Sequence, residues 1–193
     1  MIPPIHAVIV GIDKYPPPFS QLTSAVSDAS KIAGFLKEHF GTKEANITLL
    51  TDVDATKDRI TESISSLTGK ANRNDAIIFF FSGYAGKTEQ EGPEGSESTE
   101  VGIICPVDVF ENGGISDKSL LQAFDQVSKS CGNNIVSSLR IRRFIMWSNF
   151  STFRLCFWIA RPRFSVGITP RPVLLWHRMT PVKLKKVARS HER

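Results

Sequence analysis

The side chains best suited to nucleophilic or metal chemistry in this sequence are its three cysteines and four histidines. A thiol becomes a nucleophile only where a base or a positive charge lowers its pKa. The set contains no CxxC pair, no regular disulfide spacing and no metal-ligand spacing. Its members are Cys105, Cys131, Cys156, His6, His39, His177 and His191. We therefore predict no metal site and no cofactor, and we interpret each histidine as a surface or packing residue.

The surroundings of the cysteines also argue against thiol chemistry. Cys105 precedes Pro106 in an apolar run and is interpreted as a small buried hydrophobic residue. Cys156 lies among aromatic residues with no acid or histidine nearby in sequence. An odd, sparse set of cysteines fits a reducing compartment, and the N-terminus has no basic segment typical of a signal peptide. We expect a cytoplasmic protein.

A phosphate-binding loop is the first alternative to consider. Gly86-Lys87-Thr88 follows an apolar run and resembles the end of such a loop. The motif also needs a glycine at position 81 and a helix after the lysine, so that the helix N-terminus faces phosphate. Phe81 stands there instead, and glutamates with Pro93 follow. The pattern therefore does not favour nucleotide binding.

The elements that must position any site alternate between strands and helices. The predicted strands are His6–Asp13, Asn46–Leu50, Asp75–Phe81 and Val101–Cys105, with another beginning near Ile135. The predicted helices are Ser24–Phe40, Thr56–Leu67 and Ser116–Ser130, the last with Leu120, Leu121, Phe124 and Val127 inward. The segment Glu89–Glu100 is predicted to be an exposed, mobile acidic loop. This alternation predicts a parallel sheet with helices on both faces and functional groups at the carboxyl ends of the strands.

Several short motifs occur in register over residues 5–135: HAVIVGID, SAVSDASKIAGFL, DAIIFFFSGYAG and GIICPVD. In this order they resemble the large-subunit region of the caspase-like, metacaspase-type cysteine peptidases (peptidase C14) of fungi. The resemblance implies a three-layer α/β/α sandwich with a mostly parallel sheet, incomplete in this chain. It also implies a family whose activity is proteolysis by a cysteine-type endopeptidase.

The first catalytic residue of that family is a histidine in a Ser-Gly-His-Gly turn. The matching residues here are Ser82-Gly83-Tyr84-Ala85, so Tyr84 occupies the histidine position. A histidine with a pKa of about 6.5 accepts a thiol proton at neutral pH. A tyrosine, with a pKa of about 10, already carries its proton there and accepts no other. We interpret Tyr84 as a packing residue at the mouth of the sheet, with a residual chemical role as the alternative.

The second catalytic residue of the family is a cysteine in a pattern like Asp-Cys-Cys-His-Ser-Gly, at the end of the strand after the third helix. That strand begins here near Ile135 and continues VSSLRIRRFIMW, with no cysteine before Cys156. Cys131 precedes the strand and lies at the wrong end of the sheet. With both catalytic residues missing, we predict a catalytically inactive member of the family.

Asp28 is the one substrate-pocket candidate. It lies early in the first predicted helix, at the position where metacaspase-type members have Asn-Asp. The resemblance implies that it could line an acidic pocket for a basic substrate side chain. The alternative is a solvated acid in the first helical turns, where the helix dipole favours negative charge.

The charge composition divides the chain at residue 135. Residues 1–135 hold 11 Lys and Arg against 18 Asp and Glu, whereas residues 136–193 hold 13 against one acid. We therefore expect a partial caspase-like domain at 5–135 and an irregular basic tail at 136–193. The break suggests that the tail derives from intron read-through or a frameshift. The run from Phe144 to Ala160 is too short and too polar to predict a membrane span.

Three functions remain open at this point. The first is an inactive, degenerate peptidase. The second is a pseudoenzyme that pairs with an intact caspase-like paralogue through an exposed sheet edge. The third is binding of nucleic acid or an anionic membrane by the basic tail, which we disfavour because the tail has no motif, no amphipathic period and many prolines.

Overall fold

The computed structural model describes residues 3–90, 99–132, 134–146 and 157–158. The strands are β1 Ile5–Gly11, β2 Ile47–Thr51, β3 Ala76–Gln90, β4 Thr99–Ile104, β5 Ile115–Ser116, β6 Ile135–Met146 and β7 Phe157–Trp158. The helices are α1 Ala25–Phe40, α2 Lys57–Lys70, α3 Val109–Asn112 and α4 Asp117–Cys131. Two short 3-10 helices, Glu44–Asn46 and Asp52–Asp54, flank β2.

The sheet is mostly parallel, as the sequence predicts. Strand β1 lies between β2 and β3 and is parallel to both, and β6 is parallel to β3 on its other side. The exceptions are β4, antiparallel to the second half of β3, and the two-residue strands β5 and β7, which pair antiparallel with β4 and β6. The simple alternation of strands and helices did not predict these antiparallel additions.

Two hydrophobic cores cover the two faces of the sheet, which gives the predicted three-layer α/β/α arrangement. Alternate residues of β1 enter opposite cores, since successive side chains of a strand point to opposite faces. Ala7 and Ile9 pack with α1, whereas Val8 and Val10 pack with α2 and α4. All of β1 is buried, so the strand requires a helix layer on each side.

Helix α1 is held close to β1 by two features of the strand end. The carboxylate of Asp13 accepts hydrogen bonds from the backbone N–H groups of Ala25 and Val26, at 2.8 and 3.2 Å, and so caps the helix. Gly11 permits the approach, because a Cβ there would lie 2.6 Å from both the carbonyl oxygen of Ala25 and the Cβ of Ala29. The helix ends at Phe40, and the following Gly41 has the left-handed conformation that is typical of a helix C-terminus.

The largest correction concerns β3, which we expected to end at Phe81 in a turn. The strand instead continues to Gln90, because β4 and β6 pair with its second half on both sides. The ladder is irregular only between Gly83 and Tyr84, where its register to β6 shifts. Of the predicted acidic loop, residues 91–98 lie outside the described part of the chain.

Two smaller differences concern α4 and β6. Leu121 was expected to face inward, but it is 37% exposed, and Cys131 completes the buried stripe of α4 instead. Strand β6 runs from Ile135 to Met146, so residues 136–146 of the predicted irregular tail form regular structure. The remainder of that tail, apart from β7, lies outside the described residues. Within the described ranges, no helix is long and apolar enough to cross a membrane.

A buried hydrogen bond between two side chains lies at the other end of the sheet. His6 Nε2 lies 3.1 Å from Asp75 Oδ2, and both residues are buried. The backbone N–H of Asn72 donates to the same oxygen at 2.8 Å. That N–H bond, followed by the hydrogen bond from His6, lowers the pKa of Asp75 from its ordinary value of 3.8, against the opposing effect of burial.

This pKa direction predicts a pH-dependent stability. A carboxyl whose pKa is lower in the folded chain stabilises the fold above its unfolded pKa, and that stabilisation is lost as the pH falls through the folded value. We expect Asp75→Asn to lower the free energy of unfolding at pH 7, and the difference from the unmodified chain to shrink below about pH 4. Urea unfolding at several pH values measures it, with the exposed Asp58→Asn as control. A difference that stayed constant down to pH 3 would contradict the assignment.

Candidate functional site at the carboxyl ends of the strands

The parallel strands β1, β3 and β6 bring three chain segments together at one edge of the sheet. Ser82 in β3 is the register partner of Gly11 in β1 and of Arg140 in β6. Residues beyond this level therefore lie at the carboxyl ends of the strands, where parallel sheets place their functional groups. Both predicted site residues, Tyr84 and Asp28, lie close to this level.

Tyr84 is completely buried in an aromatic cluster. Its ring centroid lies 4.9 Å from that of Tyr15 in an edge-on arrangement and 4.6 Å from that of Phe19. Its hydroxyl donates a hydrogen bond to the backbone carbonyl of Ser20 at 2.9 Å. The proton of this hydroxyl is committed to a carbonyl oxygen, so the geometry fits a packing residue.

Tyr15 organises this cluster, although no sequence pattern indicated a role for it. Its hydroxyl accepts the backbone N–H of Tyr84 at 3.1 Å and donates to the carbonyl of Cys105 at 2.8 Å. One side chain thereby satisfies two buried backbone groups on β3 and beside β4. Burial, together with the nearby Cys105, raises the pKa of Tyr15 well above its ordinary value of 10.0, so it remains neutral.

Gly83 makes the approach of Tyr15 possible. A Cβ at this position would lie 2.5 Å from the Tyr15 hydroxyl and 2.9 Å from the ring of Phe81. A residue with a side chain would therefore force Tyr15 away from the strand. Gly83 has no side chain, and the register shifts directly after it. The Tyr15 hydroxyl can therefore take the place of a neighbouring strand as the hydrogen-bond acceptor for the N–H of Tyr84.

Asp28 lies on α1, with its side chain only 11% exposed. Its Oδ2 atom lies 3.2 Å from Nε of Arg140, contacts Nη2 of Arg142 and lies 3.5 Å from the hydroxyl of Ser82. Asp28 is therefore a paired, largely buried carboxylate and not a solvated one. Its partners come from β6, within the segment whose sequence suggested an irregular tail.

The structure does not bring Tyr84 and Asp28 together, since they belong to opposite faces of the sheet. Tyr84 packs in the core that contains α2 and α4, whereas Asp28 lies on α1, which covers the other face. Along β3, Ser82 points to Asp28 on the face covered by α1, whereas Tyr84, two residues later, points into the core on the opposite face. No proton can pass directly between these two side chains.

The two described cysteines are buried and protonated. Burial raises the pKa of Cys105 to about 12. Burial, followed by the charge of Asp75, also raises the pKa of Cys131, whose thiol donates to the carbonyl of Ala71 at 3.2 Å. Cys156 lies outside the described residues. The described part of the chain contains no group of three or more His, Cys, Asp or Glu placed to hold a metal ion.

Comparison with known proteins decides the family. The model of the metacaspase, peptidase C14 domain matches residues 6–137. This chain belongs to the metacaspase family. Metacaspase-1 of Scheffersomyces stipitis is 31% identical over 121 residues, which cover 59% of this chain and 29% of that protein. Metacaspase-4 of Arabidopsis thaliana is 28% identical over 136 residues, covering 68% of this chain and 32% of that protein.

The fold is also found in a solved structure. A crystal structure of a protein from Geobacter sulfurreducens superimposes with a TM-score of 0.55 at 18% identity, covering 71% of this chain and 49% of that one. This likeness shows the fold alone. The present chain spans less than a third of each of the two metacaspases above. Its metacaspase match ends at residue 137, before the arginines of β6 that contact Asp28.

The two tyrosines of the cluster should differ in their effect on stability. Tyr15→Phe leaves the N–H of Tyr84 and the carbonyl of Cys105 without a partner, so we expect a loss of about 2–3 kcal/mol in the free energy of unfolding. Tyr84→Phe removes one hydrogen bond to the backbone carbonyl of the exposed Ser20. Water can satisfy that carbonyl, so we expect a loss of about 1 kcal/mol in the free energy of unfolding. Urea unfolding of both variants measures this, and equal losses would show that the Tyr15 hydroxyl has no special role.

Proposed function

We propose that this metacaspase-family domain does not hydrolyse peptides and is a pseudoenzyme. The observation that carries the proposal is the environment of Tyr84. The residue is fully buried, and its hydroxyl donates a hydrogen bond to the carbonyl of Ser20. A cysteine peptidase needs a base that takes a proton from the thiol and returns it to the leaving amine. A buried tyrosine whose hydroxyl is donated to a backbone carbonyl, at the position that the resemblance gives to the histidine, supplies neither step.

The end of β6 supports the same conclusion. The resemblance implies a nucleophilic cysteine near the end of this strand, but its described residues 134–146 contain none. Arg140 and Arg142 stand in the strand instead, with their side chains turned to Asp28. Cys105 and Cys131 offer no substitute, because burial raises the pKa of each thiol and so keeps it protonated.

Peptide turnover tests this proposal. We expect the unmodified chain to give no thiol-dependent cleavage of fluorogenic peptides with Arg, Lys or Asp at the cleaved position. Tyr84→His alone should give none, and neither should replacing the residues after Ile135 with a strand that carries Asp-Cys-Cys-His-Ser-Gly. Base and nucleophile act as a unit, so only the two changes together could restore turnover.

The control for each assay is treatment with a thiol alkylator, which abolishes turnover that depends on a cysteine. Circular dichroism and thermal unfolding of every variant separate a lost fold from a lost reaction. Alkylator-sensitive turnover by the unmodified chain would refute the proposal. It would mean that one of its three cysteines has a base beside it.

A second function, pairing with an intact metacaspase-family protein, is favoured by the outer edge of β6. In the described residues β6 pairs with β3 along its length, and on its other side Phe144 and Ile145 pair with β7. Residues 135–139 have no second partner strand among the described residues, so their outer side could accept another strand. Val136 is also an exposed apolar side chain on this strand.

Lysines on this edge should prevent such pairing, since charged side chains block strand addition. We expect the unmodified chain to co-purify with an intact metacaspase and the Val136→Lys, Ser138→Lys variant to lose that partner. Leu49→Lys, on the opposite edge strand β2, is the matched control and should keep it. Equal retention by all three chains would exclude β6 as the pairing edge.

A further inference from the structure

The outer face of α1, which points away from the sheet, has a shallow hollow with an exposed aromatic side chain. Lys31, Gly34, Phe35 and Glu38 are among the residues of α1 that line this hollow. Phe35 is 47% exposed, whereas the opposite face of the helix is buried against the sheet. Aromatic side chains are enriched where proteins contact one another, so the hollow is a candidate contact surface.

Gly34 provides a place on this face where another backbone can come close. The packing of the described residues does not require a glycine there, since a Cβ would have none of their atoms within 4 Å and the φ angle is not left-handed. Glycine inside a helix is destabilising relative to alanine, because the chain loses more conformational freedom on folding. A backbone without a side chain permits a close approach, so a covered outer face would account for this glycine.

The four residues form a pattern that is complementary to itself. Lys31 and Glu38 are seven residues apart, so they lie on one line along the helix, separated by about 10 Å. Gly34 and Phe35 lie halfway between them, one on each side of that line. An antiparallel second α1, related by a twofold axis at this midpoint, places each Lys31 opposite the Glu38 of the other copy and Phe35 opposite Phe35. A parallel copy would place like charges opposite each other.

The charges of Lys31 and Glu38 are available for such a contact. Both residues are exposed, and neither pairs with an opposite charge among the described residues. Glu38 also lies in the last turn of α1, where the helix dipole disfavours a negative charge. Lys37 in the same turn pairs with Glu44 instead. A lysine from a second copy would compensate the charge of Glu38.

We propose that the outer face of α1 is a self-association surface on which a second copy of this chain packs antiparallel. Lys31–Glu38 ion pairs lie at both ends of the contact, and the two Phe35 rings meet at its centre. The proposal goes beyond the proposed function, because it involves neither Tyr84 nor the edge of β6. A contact made by one helix from each copy is small for a protein interface, so the dimer is reversible.

Sedimentation of the full chain over a range of concentrations tests the proposal by charge reversal. We expect a monomer–dimer equilibrium in the unmodified chain. Lys31→Glu places two acids opposite each other, and Glu38→Lys places two bases so; each should weaken the dimer at least about tenfold. Combining the two changes restores opposite charges and should restore the dimer.

Two matched variants control for other causes. Lys118→Glu makes the same charge change on α4, which covers the other face of the sheet, and should leave the dimer unchanged. Val136→Lys with Ser138→Lys should also leave it unchanged, since it alters only the edge of β6. Circular dichroism of every variant confirms that the fold is retained.

Three results would overturn the proposal. One is a chain that sediments as a monomer at every concentration. The second is a dimer that neither single charge reversal weakens, because another surface would then hold it. The third is a combined variant that dimerises no better than the single ones.

Crosslinking of the unmodified chain tests the contact without any variant. A carbodiimide joins a lysine to a carboxylate that touches it, and an equal mixture of ordinary and isotope-labelled chains reveals links between copies. We expect a peptide pair that joins Lys31 to Glu38 and carries one label of each kind. Links between copies that never include these two residues would contradict the arrangement. None of these readouts is peptide turnover, so their failure leaves the proposed inactivity standing.

Discussion

The complete burial of β1 is the constraint on which the rest of the structure depends. A strand covered on both faces needs apolar side chains in both directions and a helix layer on each side. Its parallel partners β2 and β3 then bring their carboxyl ends to the same edge. A slip of one residue would exchange the two faces, and both cores would lose their matching side chains, so the register is strongly fixed.

That fixed register decides what the strand ends can do. Past the level of Gly11, β3 no longer pairs with β1 and pairs with β4 instead. The register of its pairing with β6 also shifts, between Gly83 and Tyr84. Ser82 consequently faces α1, while Tyr84 turns into the core beside α4. The hydroxyl of Tyr15 stabilises this arrangement by bonding two backbone groups that the irregular ladder leaves unpaired. An aromatic cluster of Tyr15, Phe19 and Tyr84 thus fills this end of the core.

The charges at this edge are arranged for internal pairing. Asp13 caps α1, and Asp28 pairs with two arginines of β6. Each carboxylate is satisfied by groups of the same chain, which lowers the cost of burying it. Electrostatics and packing therefore act in the same direction, because both satisfy the groups at this edge with partners from the same chain.

Most of the elements follow from the sequence alone, because periodicity and end signals are local. The apolar β-branched run of β1, the three-and-four spacing of α1 and the stop at Gly41 each reflect short-range geometry. The family motifs likewise lie in the sequence, and the resemblance they carry implies that Tyr84 occupies the histidine position. The absence of a cysteine between Ile135 and Cys156 is equally a fact of sequence.

Only the tertiary structure decided the features that join distant segments. The length of β3 depends on its pairing with β4 and β6. The residues after Phe81, where the sequence predicts a turn, therefore continue the strand. Tyr15 is 69 residues from Tyr84, and Arg142 is 114 from Asp28, so no local pattern reports either contact. The basic composition after residue 135 predicted an irregular tail, yet β6 continues there because β3 offers an unpaired edge. Hydrogen bonds and ion pairs form between groups that are close in space, however far apart they are in sequence. Local sequence patterns depend only on residues that are close along the chain.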